Sequence, residues 1–178
     1  GSDTKAMTAV LVARLVGAGK LSWDSTVAGA LPSIAEDLHP DFRGVTVSQL
    51  LRHTAGLPAN PLLWQAFPGD DIRPRRLKLA QTSLSKAPIA VPGTKHVYSN
   101  LSVMIAGAMA EAAGEATWEE LMEREIFEPL GMASAGFGAP GTRGKVDQPW
   151  GHRPGRGGEL TSVQGDNDPA LGPAGTVH

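Results

Sequence analysis

Ser2-Asp3-Thr4-Lys5-Ala6-Met7-Thr8-Ala9-Val10-Leu11-Val12-Ala13-Arg14-Leu15-Val16 is the stretch on which the reading of this sequence turns. From Ala6 to Val16 only Thr8 and Arg14 interrupt the apolar residues, which predicts a helix apolar almost all round and therefore buried. Gly17 and Gly19 supply the permissive positions that commonly end helices. Ser2 and Lys5 stand three residues apart, so on a helix the hydroxyl and the amine share one face. An unassisted serine hydroxyl is a weak nucleophile that needs a neighbouring base and a field favouring negative charge. A helix opening at Ser2 offers that field through its unpaired N–H groups and its dipole. Lys5 adds a full positive charge, or a base if desolvation lowers its pKa. Alone, the S-x-x-K spacing is weak, because Gly1-Ser2 is also what a cleaved tag leaves.

Outward from that helix, Lys20 to Asp41 mixes short apolar groups with Gly29, Pro32, Pro40 and several acids, and reads as a loop holding no more than a helical turn. Thr46 and Gln49 form a capping box that opens a helix over Leu50 and Leu51, stopped by Gly56 and Pro58. Arg73-Pro74-Arg75-Arg76-Leu77-Lys78 is basic, yet Pro74 suits a first helical turn, so a solvated helix face is favoured over a binding patch. Pro88, Pro92 and Gly93 break the chain before Val97-Tyr98-Ser99-Asn100. Leu101 to Ala113 is a second apolar helix, expected in the core and closed by Gly114. Thr117 and Glu120 form another capping box ahead of a helix over Trp118 to Phe127, which Pro129 and Gly131 end. Gly131 to Gly175 carries more than half of the 22 glycines and five prolines, a texture of short strands and ligand-lining loops. The expected organisation is one partial domain over 1–178, mainly helical over 1–135, with loops and short strands over 136–178.

Composition narrows the function. The chain has 178 residues, 16 Lys+Arg against 18 Asp+Glu and a formal charge of -2, which argues against an electrostatic nucleic-acid partner. Without cysteine it has neither disulfides nor thiolate metal sites, and 41% hydrophobic residues suffice for a core. No apolar run approaches the roughly 20 residues of a membrane span, and a signal-peptide layout is missing. The chain opens without Met and reads as processed, trimmed or a fragment. His39, His53, His96, His152 and His178 have no metal-ligand spacing, so no metal is expected. His53 is explained by contact with the last carbonyls of its helix. His96 lines the cleft or lies on the surface, and Trp150-Gly151-His152 borders a pocket or simply packs. Gly141 to Lys145 lacks the second half of a phosphate loop, and Asp166 to Asp168 reads as a solvated turn.

The company of the Ser2 motif decides between its readings. Leu50-Leu51-Arg52-His53-Thr54-Ala55-Gly56-Leu57-Pro58, Pro92-Gly93-Thr94, Tyr98-Ser99-Asn100 and Glu128-Pro129-Leu130-Gly131-Met132 follow it in order. Across essentially all 178 residues the sequence resembles the serine β-lactamase and D-alanyl-D-alanine peptidase superfamily, in its class C β-lactamase-like branch, which includes esterases. The resemblance implies an α+β, β-lactamase/transpeptidase-like fold of which this chain is the central, mainly helical part, lacking the N- and C-terminal strands of the antiparallel sheet. It implies Ser2 as acylated nucleophile, Lys5 as its helix partner, Tyr98 as base and proton shuttle, and Asn100 as the side chain bonding the substrate's carbonyl and the lysine. The family's third motif, Lys-Thr-Gly or His-x-Gly, is absent, and with it the strand expected to give the second oxyanion donor. The expected activity is acyl transfer without a cofactor, on an amide, a β-lactam, a D-Ala peptide or an ester; the resemblance alone suggests a periplasmic or secreted location, with a cytoplasmic one as the alternative. Two rivals stand beside it: a penicillin-recognising homologue without turnover, and a helical interaction module.

Overall fold

The computed structural model describes residues 1–60 and 71–178. Two long helices, α1 (Thr4–Gly17) and α6 (Asn100–Gly114), pack together and form the frame. Every residue of α6 from Leu101 to Glu111 is buried, as its strongly apolar composition predicts, and the polar Ser102 and Glu111 are buried with the rest. α1 differs. It buries one stripe, Thr4, Thr8, Leu11, Val12 and Leu15, while Val10 on the opposite face is 51% exposed. Apolar composition permits burial without compelling it, because much of any protein surface is apolar.

Lys20 to Asp41 is more regular than expected. It forms α2 (Val27–Ala30), a 3-10 turn (Pro32–Asp37) and α3 (Pro40–Arg43). Pro32 and Pro40 each begin an element, where a missing N–H costs nothing, so they start turns instead of breaking them. α4 (Val47–Leu51) opens on the predicted capping box, with Gln49 N–H donating to Thr46 Oγ1 at 3.2 Å and Thr46 N–H to Gln49 Oε1 at 2.9 Å. The chain leaves α4 ahead of Gly56, turning through a left-handed His53 (φ 58°).

α5 (Ile72–Leu84) carries the basic run, and that run is not a solvated face. Arg76 is fully buried, bonded to the Glu111 carboxylate, to Glu119 Oε1 at 2.9 Å and to the carbonyls of Pro169 at 3.0 Å and Ala170 at 3.1 Å. Arg75 pairs with Asp168, which also accepts the Ala170 N–H, so the 166–168 stretch is more than a solvated turn. The carboxylates that draw these arginines inward stand 35 to 93 residues away, beyond any local pattern. Burial pushes the Glu111 carboxyl up from the usual carboxylate range, against the pull of Arg76 and of the Trp118 N–H.

Helix α6 closes on Glu115 (φ 56°), one residue past Gly114. Gly114 serves packing: a Cβ there would lie 2.6 Å from Leu121 Cδ2. α7 (Trp118–Met122) begins at the predicted capping box and runs into a π-helical turn (Glu123–Phe127). A two-stranded antiparallel hairpin follows, β1 (Gly151–Pro154) against β2 (Leu160–Val163), with Gly151 opposite Val163. A 3-10 turn (Pro169–Leu171) and α8 (Gly172–Gly175) then return the chain onto α1 and α6. The described residues are thus mostly helical, with one small sheet. Among them no helix is long and apolar enough to cross a membrane.

Candidate active site

The site forms where three separate segments meet. At the head of α1 the amides of Thr4, Lys5 and Ala6 donate to the carbonyls of Gly1, Ser2 and Asp3, each at 3.1 Å. Ser2 therefore stands one residue ahead of the N-cap Asp3, and the helix proper starts at Thr4. One turn along, Lys5 Nζ lies 3.0 Å from Ser2 Oγ and donates to the Ala174 carbonyl at 2.6 Å. That carbonyl belongs to α8, which is held by Thr8 Oγ1 donating to the Pro173 carbonyl at 2.7 Å and by the Val177 N–H donating to Thr4 Oγ1 at 3.1 Å.

Tyr98 arrives from the far side, with its hydroxyl 2.9 Å from the same Ser2 oxygen and its ring centroid 5.0 Å from Lys5 Nζ. Bonding to Lys5, then to Ser2, holds the Tyr98 phenol below its usual pKa, with burial opposing. Sequence fixes this segment. Buried Ser99 caps α6, its hydroxyl accepting the Ser102 N–H at 3.0 Å and donating to the Pro58 carbonyl at 2.6 Å. The preceding residue is thereby pinned at the helix entrance.

Asn100 is in the cleft but not on Lys5: its Nδ2 donates to Asn60 Oδ1 at 2.8 Å. A cavity of about 370 Å³ opens beside Ser2, lined among others by Asn60, Asn100, Asn167 and Ala174. Asn167 Nδ2 donates to the Gly175 carbonyl at 3.1 Å. The residue types and distances suit acyl transfer: a hydroxyl, an ammonium and a phenol around one oxygen, with amide groups nearby.

Sequence reasoning singled out Ser2, Lys5, Tyr98 and Asn100, and missed Asn60, Asn167 and the Ala174 carbonyl. No spacing rule marks a lone asparagine or a main-chain oxygen. His53 departs from its expected role. Its ring leaves the helix carbonyls, and Nδ1 instead accepts the Ser99 N–H at 3.2 Å beside the Tyr98 ring. His96 is exposed, with its ring 5.7 Å from that of His53. Trp150 packs, its Nε1 donating to the Lys145 carbonyl at 3.1 Å.

The fold, mostly helical with one small sheet, is that of a fragment of the β-lactamase/transpeptidase fold. The family model for Beta-lactamase matches residues 1–178, and the chain belongs to that family. It is 33% identical over 132 residues to penicillin-binding protein 4 of Amycolatopsis lactamdurans, a match covering 74% of this chain and 34% of that protein. The chain thus spans about a third of that relative's length. Among solved structures, a D-stereospecific amidohydrolase from Streptomyces sp. is similar with a TM-score of 0.76 at 26% identity, over 99% of this chain and 55% of that one. A class C β-lactamase is similar with a TM-score of 0.70 at 25% identity, over 99% and 44%.

Proposed function

We propose that this chain carries the nucleophile and the proton-transfer groups of a serine acyl-transfer enzyme that cleaves an amide, a β-lactam or an ester. Ser2 Oγ attacks the carbonyl carbon as its proton passes to the Tyr98 phenolate. The tetrahedral adduct collapses when Tyr98 returns that proton to the leaving nitrogen or oxygen, and an acyl-enzyme remains on Ser2. Water then attacks, giving a proton to Tyr98, and the acid leaves as Ser2 Oγ is reprotonated. The Lys5 amine beside Tyr98 favours the ionised phenol. The Ser2 N–H is one oxyanion donor, and removing such a donor typically costs about 3 to 4 kcal/mol of barrier. Asn100 and its partner Asn60 face the acyl group.

One observation carries this reading: Tyr98 and Lys5, 93 residues apart, both lie within 3.0 Å of Ser2 Oγ. The names of the relatives, a penicillin-binding protein, an amidohydrolase and a β-lactamase, support acyl donors with a carbonyl bonded to nitrogen. Intact-mass measurement of the full-length protein after a fluorophosphonate or a β-lactam tests it. An adduct on Ser2 that forms and, with the β-lactam, decays is expected, and Ser2→Ala should form none. A lasting β-lactam adduct would favour recognition without turnover. Labelling of the Ser2→Ala variant to the same extent removes Ser2 from the mechanism.

A further inference from the structure

We propose that His53 is a positioning residue for Tyr98, holding the phenol on Ser2 by gripping the main chain on both sides of it. This rests on the acyl-transfer reading above. The His53 carbonyl accepts the Val97 N–H at 2.8 Å, and His53 Nδ1 accepts the Ser99 N–H at 3.2 Å. Those amides flank Tyr98. Between the two bonds the imidazole lies against the phenol, with centroids 4.8 Å apart and planes tilted by 36°. Upstream, the same segment is fastened to the 54–56 turn by Gly93 N–H to the Thr54 carbonyl and Ile89 N–H to the Gly56 carbonyl. Between that turn and α6 the holds are His53 itself, the Ser99 hydroxyl on the Pro58 carbonyl and the Asn100 N–H on the Ala59 carbonyl, and of these it is His53 that bonds the amides on both sides of Tyr98.

The grip requires the backbone the residue adopts. At φ 58° His53 is left-handed, a region where His, Asn and Asp are the side chains most often tolerated after Gly. It also fixes the proton: Nδ1 offers a lone pair to Ser99, so the ring is neutral and any hydrogen sits on Nε2. A proton on Nδ1 would set two donors face to face. His96, Lys5 and Tyr98 are the titratable groups around the ring. Burial first, then His96 and Lys5, hold its pKa below the ordinary histidine value. The ring is thus kept in the form the grip needs. Misplacing a reacting group by about 1 Å costs on the order of 100-fold in rate.

The test uses His53→Gly and His53→Asn in the full-length protein. Gly adopts φ 58° freely and loses only the imidazole, whereas Asn tolerates that φ and returns a side-chain acceptor. The readout is the rate of Ser2 acylation by a β-lactam and its pH profile. For His53→Gly the expectation is a loss of about 10- to 100-fold, with the acid limb moved to higher pH as the phenol drifts from Lys5. His53→Asn should recover most of the rate and return the limb. A folded Gly variant with rate and limb unchanged overturns the proposal, and so does a slow Gly variant whose limb stays put. If the Gly variant does not fold, the Asn variant decides: retention of the rate supports the grip and a tenfold loss defeats it. Wild-type protein without a Ser2 adduct sinks the acyl-transfer reading instead.

Discussion

Tyr98 has the hardest task of any residue in the proposed cycle. A phenol of ordinary pKa is about 0.1% ionised at pH 7, a deficit of about 4 kcal/mol for a base. Lys5 and Ser2 lower that pKa, and the residue remains 47% exposed, so water screens part of the effect. The sign follows from the role: a base works unprotonated, so acylation rises with pH through the Tyr98 pKa and levels above it. That acid limb should lie below the usual phenol range and vanish in Tyr98→Phe, which keeps the ring and deletes the proton carrier. Steady-state kinetics should record a loss of at least about 100-fold for that variant. A loss below tenfold puts the base elsewhere. Ser2 and Lys5 could be paired in sequence by residue type and short spacing, whereas Tyr98 is marked only by the family resemblance that its Tyr98-Ser99-Asn100 motif helps to carry. His53 could not be read correctly, since its partner is an amide 46 residues away.

One of the shortest helices is also one the site depends on. α8 has four residues, far too few to be stable as a helix alone, yet its Ala174 carbonyl anchors Lys5. It is seated on α6 at Gly107, where a Cβ would lie 2.3 Å from Pro173 Cγ and 2.7 Å from Pro173 Cβ. A proline ring cannot swing aside as a flexible side chain would. Gly107→Ala should therefore push α8 off α6, costing about 1 to 3 kcal/mol in a denaturant titration, and slow acylation as Lys5 loses its anchor. Unchanged stability and rate would show that α8 is not seated as described. The elements themselves were readable in unequal measure. Both capping boxes and both apolar helices announce themselves locally, through caps and periodicity. α2, α3 and α8 do not, because they exist by packing, and the exposed face of α1 carries Ala6, Val10 and Ala13, so apolar residues alone do not tell it from the buried face.

At the scale of the molecule, Arg76 does what no element does alone. From α5 it reaches Glu111 of α6, Glu119 of α7 and the 169–170 carbonyls that lead into α8, so one guanidinium fastens the segments around the cleft. Such a network need not add net stability over an apolar core, but breaking it from one side leaves an uncompensated buried charge. Arg76→Leu should thus cost about 3 to 5 kcal/mol, and pairing it with Glu111→Leu should recover much of that. The pH dependence separates this account from simple loss of packing. Glu111 binds its proton more tightly folded than unfolded, and without Arg76 the imbalance grows. The folded state then holds the extra proton above the ordinary carboxylate range, so stability falls as pH rises through that window. Arg76→Leu should accordingly stand nearest to wild type in mild acid and fall furthest behind at neutral pH. A deficit in melting temperature that is the same at both would mean that Glu111 is not the charge left stranded.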